Sequence, residues 1–275
     1  MPVDEQSAQL LSILPLEGDQ EWFGGFSGIE LTENGQTIYL ASDRGRLLRG
    51  TLQREDLALQ SITIDESQPI RDHFGEVQEF PFTDAEGLAL APDGRLFVSF
   101  EHAQRILYYD ALDGASMWPS YTRSWRALIA NQGLELVALS ADGTLFAIPE
   151  GSRNIQEALV YRRKPEGKWE QPFTLPLSDR FLPVGGDFGP DGRLYLLERD
   201  FYFPAFRNRI RVMTVTETGF TDIGTILETP PLRHGNLEGL AVWRDTDARI
   251  RLTMVADDNF LFVQRSELVE YVLRD

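Results

Sequence analysis

Apolar and polar residues alternate with a period of two in short runs along the chain. Among these runs are "RLFVSF" (Arg95–Phe100) and "RLYLLE" (Arg193–Glu198), and turn sequences such as "PDG", "ADG" and "ENG" break the pattern between them. Strict alternation sends successive side chains to opposite faces of an extended strand, and Asp-Gly and Asn-Gly turns join such strands into hairpins. No stretch sustains a helical period, so the chain is predicted to be all-β.

Aligning on the turn exposes a repeat. "DAEGLALAPDGRLFVSFE" (Asp84–Glu101) recurs as "ELVALSADGTLFAIPE" (Glu135–Glu150) and, with a longer turn, as "EGLAVWRDTDARIRLTMVADD" (Glu238–Asp258). "SGIELTENGQTIYLASD" (Ser27–Asp43) and the looser "GGDFGPDGRLYLLERD" (Gly185–Asp200) complete the set. The copies begin near Ser27, Glu86, Glu135, Val184 and Glu238, at a mean spacing of about 53 residues, which is room for four strands each. In the second copy those strands are predicted near Gly87–Leu90, Leu96–Phe100, Arg105–Tyr109 and Ser124–Ile129.

Four-stranded units repeated in this way predict a β-propeller, one domain over residues 1–275. Five blades fit the count; six would need a repeat outside this alignment. The C-terminal "SELVEYVLRD" reads as a third strand with no fourth, and "LLSILPLEG" supplies a strand near residues 10–17 ahead of the first unit. Pairing the two closes the ring and removes the open edges of a linear array.

The repeat also carries acids at both ends of its hairpin. Innermost strands run along the axis of a propeller, so the leading acids Glu86, Glu135 and Glu238 are predicted to meet around the channel. The closing acids Asp43, Glu101, Glu150, Glu198 and Asp257 or Asp258 would form a wider ring. Converging carboxylates repel one another unless they gain protons, arginine partners or a cation. Calcium suits such oxygen ligands, and Asn131 in "NQGLE" and Asn236 in "NLEG" add amide oxygens. Two readings stay open here: blade-holding bonds to amides and arginines, or a metal site.

Zinc is not expected from the spacing, because His73, His102 and His234 include no short His-x-x-His pair. His234 is singled out for lying two residues before Asn236. Ser27 in "GGFSGIE" lacks the following helix that a Gly-x-Ser-x-Gly elbow requires. Arg44 and Arg199 each follow a ring acid and are candidates to neutralise it or to bind an anion bidentately. Arg207, Arg209 and Arg211 are expected to be ordinary solvated or paired surface residues.

Composition narrows the partners. The 26 basic and 43 acidic residues of the 275 give a net charge of −17, a field that repels a phosphate backbone and argues against nucleic acid. Cysteine is absent, which removes disulfides and thiolate metal sites. No apolar run approaches the roughly 18–20 residues of a membrane span. The start "MPVDEQSAQLLSILPLEGD" has no signal-peptide pattern, so a cytoplasmic protein, or an exported one already processed, is expected.

As a set and in this order, "FGGFSGIEL…YLASDRG", "DAEGLALAPDGRLFVSFE", "NQGLELVALSADG", "GRLYLLERD" and "NLEGLAV…MVADDNF" resemble the phytase-like family, also described as esterase-like activity of phytase. The resemblance spans about Trp22 to Leu273. It implies a propeller with metal-assisted phosphoesterase or esterase activity in a periplasmic or secreted setting. Glu86, Glu135, Asn236, Glu238, Asp258 and Asn259 match the family's acidic and amide positions. Val184 or Gly185 replaces an acid in the fourth unit, and the dense Asp clusters of the β-propeller phytases are missing, so phytate itself is not implied.

The resulting expectation is a monomeric, calcium-dependent hydrolase of small anionic phosphate esters. Glu86, Glu135, Glu238, Asn131, Asn236 and Asp258 would hold the ion. Arg44 or Arg199 would steady the phosphate and Glu101 would accept a proton, with Asp43, Glu150, Glu198, Asn259 and His234 as further channel candidates. The alternatives are a non-catalytic binding propeller and a lactone or carboxylic-ester hydrolase.

Overall fold

The structure, a computed structural model, describes residues 7–128, 133–151, 156–202, 205–258 and 264–274. After a first strand, β1 (Ala8–Pro15), the chain builds five antiparallel sheets in succession. Blade 1 is β2 (Phe26–Leu31), β3 (Thr37–Ser42), β4 (Arg46–Glu55) and β5 (Ala58–Pro69). Blade 2 is β6 (Ala85–Leu90), β7 (Leu96–Phe100) and β8 (Arg105–Tyr109). Blade 3 is β9 (Leu134–Leu139), β10 (Leu145–Pro149), β11 (Glu157–Arg163) and β12 (Glu170–Pro176). Blade 4 is β13 (Leu182–Phe188), β14 (Leu194–Tyr202), β15 (Ala205–Thr216) and β16 (Gly219–Glu228). Blade 5 is β17 (Asn236–Arg244), β18 (Ile250–Asp257) and β19 (Glu267–Leu273), completed by β1.

The expected closure is therefore present, with β1 pairing antiparallel to β19 from Ala8↔Leu273 to Pro15↔Glu267. The strand begins and ends two residues earlier than the predicted 10–17. One predicted strand is corrected. The segment expected as the fourth strand of blade 2 starts as a short 3-10 helix, Arg123–Ala127, and the outer edge of β8 is covered instead by Ser120, bridged to Ile106. Trp125, buried in that turn, packs on Tyr161 and Trp169 of blade 3, which is the physical reason the chain curls there.

Ring closure is written in the packing. Alternate residues of each strand feed two different cores, so inner strands are buried on both faces. In β9, Val137 joins Ala89, Phe97 and Ile106 of blade 2, whereas Leu136 and Ala138 join Leu194, Leu196 and Met213 of blade 4. Three further cores lie between blades 1 and 2, 4 and 5, and 5 and 1. Where inner strands touch, side chains shrink to nothing. A Cβ on Gly87 would meet the Glu135 carbonyl and the Val137 nitrogen at 2.7 Å, and one on Gly239 would meet the Ser27 carbonyl at 2.6 Å. Turn glycines answer a different need: Gly94 and Gly143 have φ of 90° and 82°, open to residues without a side chain. Among the described residues no helix is long and apolar enough to cross a membrane.

Candidate functional site: an acidic channel mouth

Each inner hairpin breaks register at the same place. Pairing skips Ser27 in β2, Glu86 with Gly87 in β6, Glu135 in β9, Val184 in β13 and Glu238 in β17. These are the repeat positions read from the sequence, and each sits on a β-bulge. A bulge leaves a residue out of the ladder and re-aims its side chain. Glu86, Glu135 and Glu238 accordingly line one axial channel with Ser27 and Gly185, an opening of about 10 Å³, which is little more than one water. The channel is too narrow for a substrate, so the chemistry available lies at its mouth.

Antiparallel pairing brings the closing acids to that same mouth. Glu101 N donates to the Asp84 carbonyl at 3.0 Å, Glu150 N to Gly133 at 3.1 Å and Asp43 N to Gly25 at 2.9 Å. Asp258 Oδ1 accepts from Gly25 N at 3.2 Å, tying blade 5 to blade 1. Of the predicted outer ring, Asp43, Glu101, Glu150 and Asp258 thus stand at one rim.

The crowding shows in the acidities. Burial, then the charges of Asp84, Glu238 and Asp258, push Asp43 up to about 7 against the pull of Arg44. Burial, Asp84 and Glu150 likewise push Glu101 up to about 7, opposed by His102. Burial comes first again for Glu86 and Glu135, which are held well above the usual carboxylate range, with Glu135 acting on Glu86, and Glu150 and Glu101 acting on Glu135. Neither Glu86 nor Glu135 makes a side-chain hydrogen bond among the described residues.

Arg199 answers part of the charge. Its Nη1 bonds both Asn236 Oδ1 and Glu238 Oε1, and Nη2 lies 3.2 Å from Glu150 Oε1. Asn236 Nδ2 donates to Glu238 Oε1 at 2.7 Å. Burial alone would lower the pKa of this guanidinium, but Glu238, Glu150 and Glu135 outweigh it and raise it. Two of the predicted metal ligands, Asn236 and Glu238, therefore hold an arginine, and that arginine is committed to protein side chains. Arg44 is exposed on the rim, with Nη1 3.0 Å from the Glu21 carbonyl.

Other predicted residues lie elsewhere. Glu198 points into blade 4, fully buried between Arg209 (2.8 Å) and Arg211 (2.6 Å), so those two arginines are interior and not surface. His234 is buried with Nε2 2.7 Å from the Tyr271 hydroxyl, and burial, then Arg233, lowers it to about 4. Asp257 is buried opposite Asn236 in the β17–β18 ladder. Asn131 and Asn259 lie outside the described residues.

The structure adds two residues that the site prediction lacked. Asp84 and His102 flank the hairpin that carries Glu86 and Glu101, and His102 Nδ1 contacts Asp84 Oδ2 while lying 3.6 Å from Glu101 Oε2. Among the described residues, Asp84, Glu101 and His102 are the trio of potential ligands whose atoms all lie within 4.8 Å of one another. Asp84 opens the repeat and His102 follows its closing acid, so a search at the hairpin ends finds both. Histidine spacing alone does not.

No curated protein sequence matches the chain. Solved structures resemble it in fold. The PQQ-bound aldose sugar dehydrogenase of Streptomyces coelicolor superposes with a TM-score of 0.53 at 12% identity, covering 97% of this chain and 98% of that one. The WD40 repeats of RRP9 give 0.53 at 9% identity and 99% coverage of each. Identities this low speak for the propeller alone. The motifs speak more narrowly: residues 21–260 match the phytase-like family, described as esterase-like activity of phytase, and the chain belongs to that family.

Proposed function

We propose that the protein hydrolyses esters, phosphate esters first among them, at the acidic mouth of the channel. The observation that carries this reading is the convergence of bulge-borne and rim carboxylates from separate blades on one face of a phytase-like propeller. Such a concentration of desolvated acids is maintained against repulsion, which is common at functional sites.

Calcium at the predicted ligand set does not fit this arrangement. Glu86, Glu135 and Glu238 share a channel but do not draw together as a trio, and Asn236 and Glu238 are bound to Arg199. The steps assigned here therefore belong to side chains. Glu86, whose carboxylate has no hydrogen bond among the described residues, accepts the proton of the attacking water. Arg44, exposed beside Asp43 on the rim, orients an anionic ester by its planar fork. Arg199 holds Glu238 and Glu150 in place and lowers the net charge that an incoming anion meets.

A panel of phosphate monoesters, phosphate diesters and carboxylic esters, assayed with divalent cations present, tests the reading. Glu86→Gln is expected to lower kcat by about 10²-fold or more, and Arg44→Gln to raise KM for phosphate esters while sparing neutral ones. A wild-type protein inactive on the whole panel would overturn it.

A further inference from the structure

The hairpin that carries Glu86 has a second chemical feature. Its two ends bring Asp84, Glu101 and His102 into reach of one another, with the imidazole Nδ1 facing both carboxylates. Asp84 is nearly dry, at 8% exposure, and the Phe80 ring packs edge-on against His102 at 5.2 Å, which restricts how the imidazole can turn. We propose that Asp84, Glu101 and His102 form a site for a divalent transition-metal ion of the manganese or zinc class, in preference to calcium.

Donor chemistry decides the class. Calcium takes 6–8 oxygen ligands, whereas imidazole nitrogen suits zinc and the later first-row metals and carboxylate suits manganese. One nitrogen and two carboxylates within a few ångströms form a mixed set of the second kind. Two further observations show carboxylates beside this trio that no hydrogen bond satisfies among the described residues. Glu135, only 6% exposed, lines the adjoining channel without a side-chain hydrogen bond among the described residues, and the charge of Glu101 bears on it. Asp43 Oδ1 is buried with no hydrogen-bond partner, and Asp84 is the first charge acting on Asp43. Arg199, a cation inside the mouth, spends its guanidinium on Glu150, Glu238 and Asn236. Arg44 acts on Asp43, and Arg105 of blade 2 spends its guanidinium on the Ala103 and Phe82 carbonyls, so the imidazole of His102 is the group that faces both Asp84 and Glu101.

An Asp–His ion pair uses the same atoms, and binding separates the two. The purified chain, stripped with chelator, would be titrated with Mn2+, Zn2+ and Ca2+ separately, reading thermal midpoint and, for Mn2+, loss of the free-ion electron paramagnetic signal. Expected are one Mn2+ bound per chain and a midpoint raised by about 5 °C with Mn2+ or Zn2+ at 100-fold over Kd. Ca2+ is expected to be at least tenfold weaker, and His102→Gln to abolish the Mn2+ signal while His73→Gln keeps it. Should His102→Gln fail to fold, Glu101→Gln is expected to weaken Mn2+ at least tenfold. No stoichiometric Mn2+ or Zn2+, binding unchanged in His102→Gln or Glu101→Gln, or Ca2+ bound as tightly as Mn2+ would each overturn the proposal. Metal binding is read without turnover, so its failure and failure of the hydrolase reading are told apart.

Discussion

Arg199 of blade 4 places Nη2 3.2 Å from Glu150 of blade 3 while its Nη1 holds Glu238 of blade 5. One side chain thus ties three blades at the rim of the channel. A propeller has no continuous core through its axis, only cores between neighbouring blades, so a tie at the mouth resists blades spreading apart.

Arg199→Met is expected to destabilise the fold by about 2–3 kcal/mol, because it strands two half-buried carboxylates. Arg199→Lys should recover less than half, since an ammonium cannot reproduce the planar fork. Urea unfolding measures both; an unchanged midpoint for Arg199→Met would count against the tie.

Glycine at the blade contacts and glycine at the turns should respond differently. Gly87→Ala pushes a methyl into the Glu135 carbonyl at 2.7 Å and is expected to cost about 2–3 kcal/mol. Gly94→Ala, with open space around it and φ of 90°, should cost about 1 kcal/mol from backbone strain alone. Equal losses in thermal melts would refute the assignment of Gly87 to ring closure.

Activity and stability should move in opposite directions at Glu86. Glu86→Gln removes a desolvated charge that Glu135 and Glu238 repel, so its midpoint is expected to rise while hydrolysis falls. Calorimetry and the ester assay on one preparation check the pair of outcomes, and a lowered midpoint would show that the ionised carboxylate is a net support of the fold.

His234 predicts a pH dependence. Its folded value of about 4 lies below the unfolded value near 6.5, so the unfolded chain binds the proton more readily. The contribution of this residue is full above pH 6.5 and declines as pH falls towards 4, by about 1–2 kcal/mol at pH 5. The raised mouth acids work the other way, gaining stability as pH falls, so the comparison must be internal. The difference in unfolding free energy between the wild type and His234→Gln should shrink from pH 7 to pH 5, and a constant difference would contradict the buried neutral imidazole.

Much of the fold was legible because it is local. Period-2 alternation and turn glycines mark β6 to β8 nearly to the residue, and the fragment "SELVEYVLRD" announced a strand in need of a partner, which β1 supplies. The outer part of blade 2 was not legible. There Trp125 is drawn into an aromatic contact with blade 3, and tertiary packing overrides strand propensity.

The repeat of acids, their number and their place at hairpin ends belong to the amino-acid order alone, and so does the circular plan that gathers them. Which acid meets which partner does not. Glu198 and Glu150 close equivalent hairpins, yet one is locked between Arg209 and Arg211 inside its blade and the other meets Arg199 at the rim. That choice depends on where a bulge turns a side chain and on what a neighbouring blade offers from about fifty residues away. Alternation along one strand is a short-range steric rule, whereas pairing of charges across blades exists only once the ring has closed.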